Sequence, residues 1–255
     1  MKDFILGIRS INQWFYLGLL DIKLRYQRSF IGPWWITISS FIVIFVLSLI
    51  WSKVFKLSLD EYLSFLSIGY ILWHWFSGAI NESTRLFVEF RGIVFQINLP
   101  LSVYFLRLCF RNFIIFLHNF IFLIALLFYM DFFTNIQWGF LFIGLILFYL
   151  FIFLASSIVS ILSVRFKDFE QFIPTLLQLT FFISPILWSP NSIKDSFLFL
   201  KYNPIYYLLN IVREPLMGEV NDINSYLIIF SLILFLFLFF LFLYYKARNK
   251  IIFWI

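Results

Sequence analysis

The stretch "INSYLIIFSLILFLFLFFLFLYY", residues 223–245, contains no charged side chain and consists largely of Leu, Ile and Phe. A helix needs about 20 consecutive apolar residues to cross the hydrocarbon core of a bilayer, so this segment is long enough to span one. The whole chain of 255 residues is 63% hydrophobic and only 13% charged, whereas soluble domains are about 25% charged. We therefore predict an all-α integral membrane protein.

The other long apolar stretches predict five more spans, which gives six transmembrane helices in a single domain, residues 1–255. None of the six segments contains a formal charge, although His74 and His118 lie inside the second and third. Neither histidine has a carboxylate nearby in sequence, so we interpret both as packed or interfacial residues. The spans are predicted at residues 33–52, 62–80, 112–130, 136–164, 171–190 and 223–245.

The distribution of positive charge predicts the orientation. An even number of spans places both termini on one side of the membrane, and that side carries 14 of the 19 Lys and Arg residues. The positive-inside rule then makes both termini cytoplasmic. The net charge of +6 is explained by this asymmetry, so we expect no nucleic-acid partner. Residues 1–32 precede spans one to five (33–190), and residues 246–255 form a cytoplasmic tail.

The N-terminal segment combines a cationic cluster with an apolar stripe. Lys23, Arg25 and Arg28 lie just before the first span, and Asp21 stands four residues before Arg25, at helical pairing distance. We predict a helix that lies along the cytoplasmic leaflet and ends near residues 32–33; the alternative is a plain positive anchor. The stripe consists of Ile11, Phe15, Gly18, Leu19, Ile22 and Tyr26.

The second cytoplasmic loop, "NESTRLFVEFRGIVFQINLP" (81–100), mixes charged and large apolar residues. Glu82, Arg85, Glu89 and Arg91 alternate with the apolar side chains, which predicts a short amphipathic helix. Such an element on the cytoplasmic side is suited to docking a soluble partner. The alternative is a solvated connector.

The last outer segment, residues 191–222, is too apolar for a solvated loop. Its stretch "SFLFLKYNPIYYLLNIVREPLMG" (196–218) is divided by Asn203 and Pro204 into halves that are too short to cross a bilayer. We predict a re-entrant outer helix pair that closes a path, with Tyr202, Tyr206 and Tyr207 near its turn. The alternative is an interfacial helix pair with no role in transport.

Several classes of site are absent from the sequence. There is no Gly-x-x-x-x-Gly-Lys-Ser/Thr motif, so we expect no ATP bound through a phosphate-binding loop. There is no Cys/His cluster with metal-ligand spacing, and the single Cys109 excludes an intrachain disulfide. The uncharged spans also lack the ionisable groups that ion-coupled transporters use. If the protein moves a substrate, we expect the energy to come from another subunit.

Five motifs are spread over residues 17–216. They are "LGLLDIKLRYQRSFIGPWW" (17–35), "INLP" (97–100), "VRFKDF" (164–169), "SPILW" (184–188) and "YNPIYYLLNIVREPL" (202–216). Together they resemble the membrane-spanning permease subunit of polysaccharide ABC exporters of the ABC-2 family, which move O-antigen, capsular or teichoic acid polymers. The resemblance does not separate these polymers.

The resemblance implies a homodimer in the inner membrane of a bacterium, with two copies of a cytosolic ABC ATPase that bind ATP and Mg. A lipid-linked polysaccharide would pass between the two permeases. Residues 1–32 would hold the interface helix, 82–95 the ATPase-coupling helix and 191–222 the outer gate. This chain itself would bind no cofactor or metal.

A sugar channel needs hydrogen-bonding groups and aromatic faces, and Tyr and Trp supply both. Two other functions remain as alternatives: an ABC-2 permease for a drug or small lipid, and a membrane scaffold that transports nothing. The channel-lining candidates are Tyr70, Trp73, Phe181, Phe182 and Trp188.

Overall fold

The computed structural model describes residues 2–27, 29–32, 34–92, 99–130, 133–190, 200–219 and 222–255, and within them all regular structure is helical. Arg28 and most of the first half of the predicted outer pair lie outside these residues. A 3-10 turn occupies Phe133–Asn135. The α-helices are α1 Lys2–Arg9, α2 Ile11–Arg25, α3 Trp34–Phe55, α4 Leu59–Ser83, α5 Leu86–Glu89, α6 Leu101–Tyr129, α7 Trp138–Arg165, α8 Phe169–Ile183, α9 Pro204–Met217, α10 Ile223–Ala247 and α11 Ile251–Trp254.

Among the described residues, five helices are long and apolar enough to cross a membrane: α3, α4, α6, α7 and α10. They correspond to predicted spans one to four and six, which confirms the all-α membrane architecture. The fifth predicted span, 171–190, contains only the 15-residue helix α8. At 1.5 Å per residue α8 is about 22 Å long, less than the roughly 30 Å of a hydrocarbon core.

Helix α8 ends earlier than predicted because Pro185 follows Ser184. Ser184 has extended backbone angles (φ −84°, ψ 149°), as the residue before a proline prefers. Pro185 also lacks the N–H that would continue the helical ladder. The motif "SPILW" therefore lies in turns beyond the helix rather than at the end of a span.

Helix α6 begins at Leu101, 11 residues before the predicted start of the third span. Arg107 and Arg111 therefore belong to the helix and are buried, although they precede the predicted third span, which starts at residue 112. The predicted span begins after the last charged residue, because an unpaired charge is not expected inside a membrane helix. Both guanidinium groups, however, are paired with carboxylates on other helices. Pairing is what permits charges to be buried there.

Helices α4, α6 and α7 form the centre of the bundle. Trp75 of α4 joins the three, because its ring stacks on Phe116 of α6 (centroids 3.9 Å apart) and on Phe148 of α7 (5.2 Å). Helix α10 packs against α7, and α3 packs against α4 and α6. The N-terminal helices α1 and α2 both lie along α6, so α2 is not an isolated helix on a lipid surface.

Helix α9 begins at the predicted break. The Asn203 side chain accepts a hydrogen bond from the N–H of Ile205 (2.9 Å), and Pro204 occupies the first helical position, where its missing N–H costs nothing. Gly218 ends the helix with φ +72°, a conformation that favours glycine. The helix is buried against α4, α7 and α10, which makes it a structural part of the bundle.

Candidate functional site

A groove of about 490 Å³ lies between α3, α4 and α8. Four of the five predicted channel residues line it, Tyr70 and Trp73 from α4 and Phe181 and Phe182 from α8. Trp188 does not, because it lies beyond the end of α8, where its indole N–H donates to the Phe182 carbonyl (3.1 Å). The structure thus brings four aromatic side chains from two helices to one surface.

Polar side chains also line the groove. Tyr70, His74, Ser77 and Asn81 are spaced i, i+4, i+7 and i+11 on α4, and Gln178 faces them from α8. Residues with this spacing share one helical face, which here extends about 16 Å along α4 at 1.5 Å per residue. The His74 side chain is exposed on the groove, so of the two interpretations, packed or interfacial, a packed position within the chain does not apply.

The sequence carries a signal for these polar residues. The second span is less apolar than its neighbours, and its polar residues recur with helical periodicity. Patterns of charge and of aromatic content do not include neutral amides and hydroxyls, so this periodicity is the signal that identifies them.

Helix α8 forms one wall of the groove with few contacts of its own. Only Ile173 and Leu177, one turn apart, are buried in this helix. Phe172, Leu179 and Phe182 are exposed large apolar side chains. Most of the surface of α8 is therefore not covered by the described residues of this chain.

A second constellation lies where α2, α4 and α6 meet. Asp21 of α2 accepts two hydrogen bonds from Arg107 of α6, from Nε (2.8 Å) and Nη2 (2.5 Å), and one from Arg111 Nη1 (3.3 Å). Glu82, in the last turn of α4, accepts from Arg111 Nη2 (2.8 Å), Arg25 Nη2 (2.6 Å) and the Asn112 amide (2.7 Å). We call these six residues the ion-pair network.

The ion-pair network changes two interpretations. Asp21 does not pair with Arg25 along α2, because each of them reaches a different transmembrane helix. Glu82 is not part of an exposed docking surface, since its carboxylate is directed into the network. Burial lowers the pKa of Arg25, but the adjacent Glu82 carboxylate outweighs that effect and the pKa is raised.

Lys23, another cation of the predicted interface helix, is not part of the ion-pair network. The Lys23 side chain is exposed, and Arg28 lies outside the described residues. Gly18 and Ile22, from the predicted apolar stripe, are buried against α6, whereas Ile11 and Phe15 remain exposed. The C-terminal part of the stripe therefore packs on α6, and its N-terminal part stays exposed among the described residues.

The predicted coupling segment forms a shorter helix than expected, α5, Leu86–Glu89. Leu86 and Phe87 are buried in the core of this chain, so these apolar side chains are not offered to a partner. Arg85 forms an ion pair with Glu170 of α8. Val88 and Glu89 are exposed, as is Arg91, and residues 93–98 lie outside the described part of the chain.

The predicted gate residues separate into two groups. The rings of Tyr206 and Tyr207 contact each other edge to face, with centroids 5.2 Å apart, and the Tyr207 hydroxyl donates to the Lys201 carbonyl (3.1 Å). Tyr202 is exposed and lines a different, apolar cavity together with Asn203 and Pro204. The three tyrosines therefore do not form one cluster.

Comparison with known proteins identifies the family. The ABC-2 type transporter family matches residues 12–217. The chain is 27% identical over 205 residues to the O-antigen export system permease protein RfbA of Klebsiella pneumoniae, covering 78% of each protein. It is 27% identical over 221 residues to the protein of the same name from Myxococcus xanthus, covering 79% of this chain and 80% of that relative. Because the family match spans most of its length, the chain belongs to the ABC-2 type transporter family.

Proposed function

We propose that this protein is the permease subunit of an ATP-driven ABC exporter that moves a lipid-linked polysaccharide, such as O-antigen, across the bacterial inner membrane. The observation that carries the proposal is the groove between α4 and α8, where aromatic and neutral hydrogen-bonding side chains share one surface. Similarity to two O-antigen export permeases supports the same substrate class.

The chemistry of the groove suits a sugar chain. A sugar ring has hydroxyl groups at its edge and C–H groups on its faces. The amides of Asn81 and Gln178 both donate and accept hydrogen bonds, as does the hydroxyl of Ser77. Trp73 and Phe181 supply the flat apolar surface that the C–H faces of a sugar can contact.

Two copies of the chain would complete the path. The exposed apolar faces of α8 and α3 flank the groove, and in a two-fold dimer the same surface of each copy meets its counterpart. Two facing grooves would then enclose a polymer that one open groove only contacts on one side. We therefore propose a homodimer with the substrate between the protomers.

Energy would come from a cytosolic ABC ATPase that holds ATP and Mg. The distribution of Lys and Arg supports cytoplasmic termini and a cytoplasmic α5. The docking surface would consist of Arg85, Val88, Glu89 and Arg91, without Glu82.

The ion-pair network joins α2 and α6 to the inner end of α4, so a movement imposed on α2 would reach the helix that lines the groove.

Reversing charge on the proposed docking surface is expected to weaken ATPase binding. The double variant Arg85→Glu with Arg91→Glu should lower co-purification of the ATPase at least about fivefold, because charge complementarity contributes to docking. The matched control is Lys246→Glu with Lys250→Glu, which reverses two charges at the C-terminal end of the chain. Equal co-purification of both variants and the wild type would contradict docking at α5.

The function is tested by deleting the gene and following the polymer. If the proposal is right, lipid-linked polysaccharide accumulates on the cytoplasmic side and disappears from the surface, and the wild-type gene restores export. An unchanged polymer with altered sensitivity to a drug or lipid would favour a permease for small molecules. An unchanged polymer and unchanged sensitivity would favour a scaffold.

A further inference from the structure

The polar side chains that line the groove have one property in common, which is that each is neutral in its usual form at pH 7. Tyr70 and Ser77 present hydroxyls, Asn81 and Gln178 present amides, and His74 presents an imidazole. The other described residues of the lining are apolar: Leu47, Trp73, Pro174, Leu177, Phe181 and Phe182. We propose, resting on the function proposed above, that the groove selects polymers whose repeat units carry no charge.

The arrangement of the neutral groups favours sugar hydroxyls over ionised groups. Along α4, successive polar side chains are separated by about 4.5–6 Å of helix rise, from 1.5 Å per residue. Each side chain that both donates and accepts can exchange one hydrogen bond with water for one with a passing hydroxyl. A neutral polymer therefore advances by repeated, nearly equivalent exchanges.

A polymer with phosphate or carboxylate repeat units would lose hydration without gaining an opposite charge in the groove. An ionised group moved away from water is destabilised unless a counter-charge or several donors compensate. The described lining offers aromatic faces and single hydrogen bonds instead. Each charged repeat would meet the same barrier in turn.

The buried arginines of the described residues do not supply that compensation, because they lie outside the groove. Arg107 and Arg111 bind Asp21 and Glu82 in the ion-pair network. Arg213 lies over the Phe65 ring, 4.1 Å from its centroid, and donates to the Pro185 carbonyl (2.9 Å). None of these arginines lines the groove.

A second copy of the chain would not alter this balance. In the proposed homodimer the facing surface is the same groove, so its described side chains are again neutral. The selection acts on the repeat units of the polymer and not on the phosphate linkage that joins the polymer to its lipid.

The experiment compares two polymers on the same permease. The protein and its ATPase are reconstituted into proteoliposomes with a polymannose chain or a poly(glycerol phosphate) chain of equal length, each on the same polyprenyl phosphate carrier. ATP-dependent export of polymannose should be at least about tenfold faster than export of poly(glycerol phosphate). Even the smallest measured free-energy penalty for placing one charge at the bilayer centre corresponds to a larger rate ratio than this. Equal or faster export of poly(glycerol phosphate) would overturn the inference and leave the proposed function intact. Export of neither polymer by an ATP-hydrolysing complex would overturn both.

A pair of variants tests whether the groove causes the selection. Gln178→Lys adds one positive charge to the lining and should reduce the ratio of polymannose to poly(glycerol phosphate) export at least about threefold, because an opposite charge now compensates the phosphate. Gln178→Asn keeps the neutral amide and should preserve the ratio, whatever its effect on the absolute rates. Misfolding would lower both rates together without moving the ratio in either variant. If the lysine variant is folded and exports polymannose with an unchanged ratio, selection does not occur in the groove.

Discussion

Replacement of Asp21 by asparagine is expected to lower the free energy of unfolding by about 3–5 kcal/mol, the range found when one partner of a buried ion pair is removed. The Asp21 side chain is 11% exposed, and the side chains of Arg107 and Arg111 are 5% and 8% exposed. Asparagine leaves the two guanidinium groups in place and removes the charge between them. Arg107 then has no carboxylate partner among the described residues.

The loss is measured by thermal or denaturant unfolding of the purified protein in detergent micelles. Asp21→Glu retains the charge and should recover most of the stability. Asp168→Asn is the matched control, because Asp168 is exposed and its side chain makes no capping hydrogen bond to α8. A loss in Asp21→Asn no larger than that in Asp168→Asn would show that the ion-pair network does not hold α2 on the bundle.

Gly144→Ala is expected to destabilise the protein by about 1–3 kcal/mol, the usual cost of forcing extra volume into a packed interface. Gly144 of α7 lies against the backbone of α9, and an added Cβ would be 2.1 Å from the Ile211 carbonyl oxygen and 2.9 Å from its carbonyl carbon. Both atoms belong to the backbone, so a change of rotamer cannot relieve the overlap. The two helices must move apart, and export should fall with the stability because α9 also packs against α4.

Gly139→Ala provides the control on the same helix. An added Cβ at Gly139 has no neighbour within 4 Å, so the substitution should leave stability unchanged or raise it by up to about 1 kcal/mol through helix propensity. The two variants are compared by unfolding in detergent and by export in cells. A similar loss of stability at both positions would mean that α7 and α9 do not pack as closely as the structure shows.

Features that depend only on residues close together in the sequence were predictable from the sequence. The uncharged stretch 223–245 predicted a spanning helix because the length of an apolar run is a local property, and α10 occupies Ile223–Ala247. The start of α9 was predictable for the same reason, since Asn203 and Pro204 set a helix N-terminus by their own side chains. The early end of α8 is likewise encoded locally, because Pro185 follows Ser184.

The groove was only partly predictable. Tyr70, Trp73, Phe181 and Phe182 were named because aromatic side chains suit sugars, but with 39 phenylalanines in the chain the sequence could not separate them from lipid-facing rings. Their assembly depends on how α8, in which Ile173 and Leu177 are buried, packs on α4. Packing between helices distant in sequence decides which face of each helix remains open.

The sequence by itself determined that this is a helical membrane protein, where most of its spans lie and that the segment 191–222 is broken at Asn203 and Pro204. Only the tertiary structure decided how the charges of α2 pair. Asp21 lies 86 residues from Arg107, and Arg25 lies 57 residues from Glu82, so no local spacing rule connects them. The i, i+4 spacing predicted an ion pair between Asp21 and Arg25. That prediction failed because the buried arginines of α6 need a carboxylate partner, and Asp21 supplies it. That pairing is available only where α2, α4 and α6 converge.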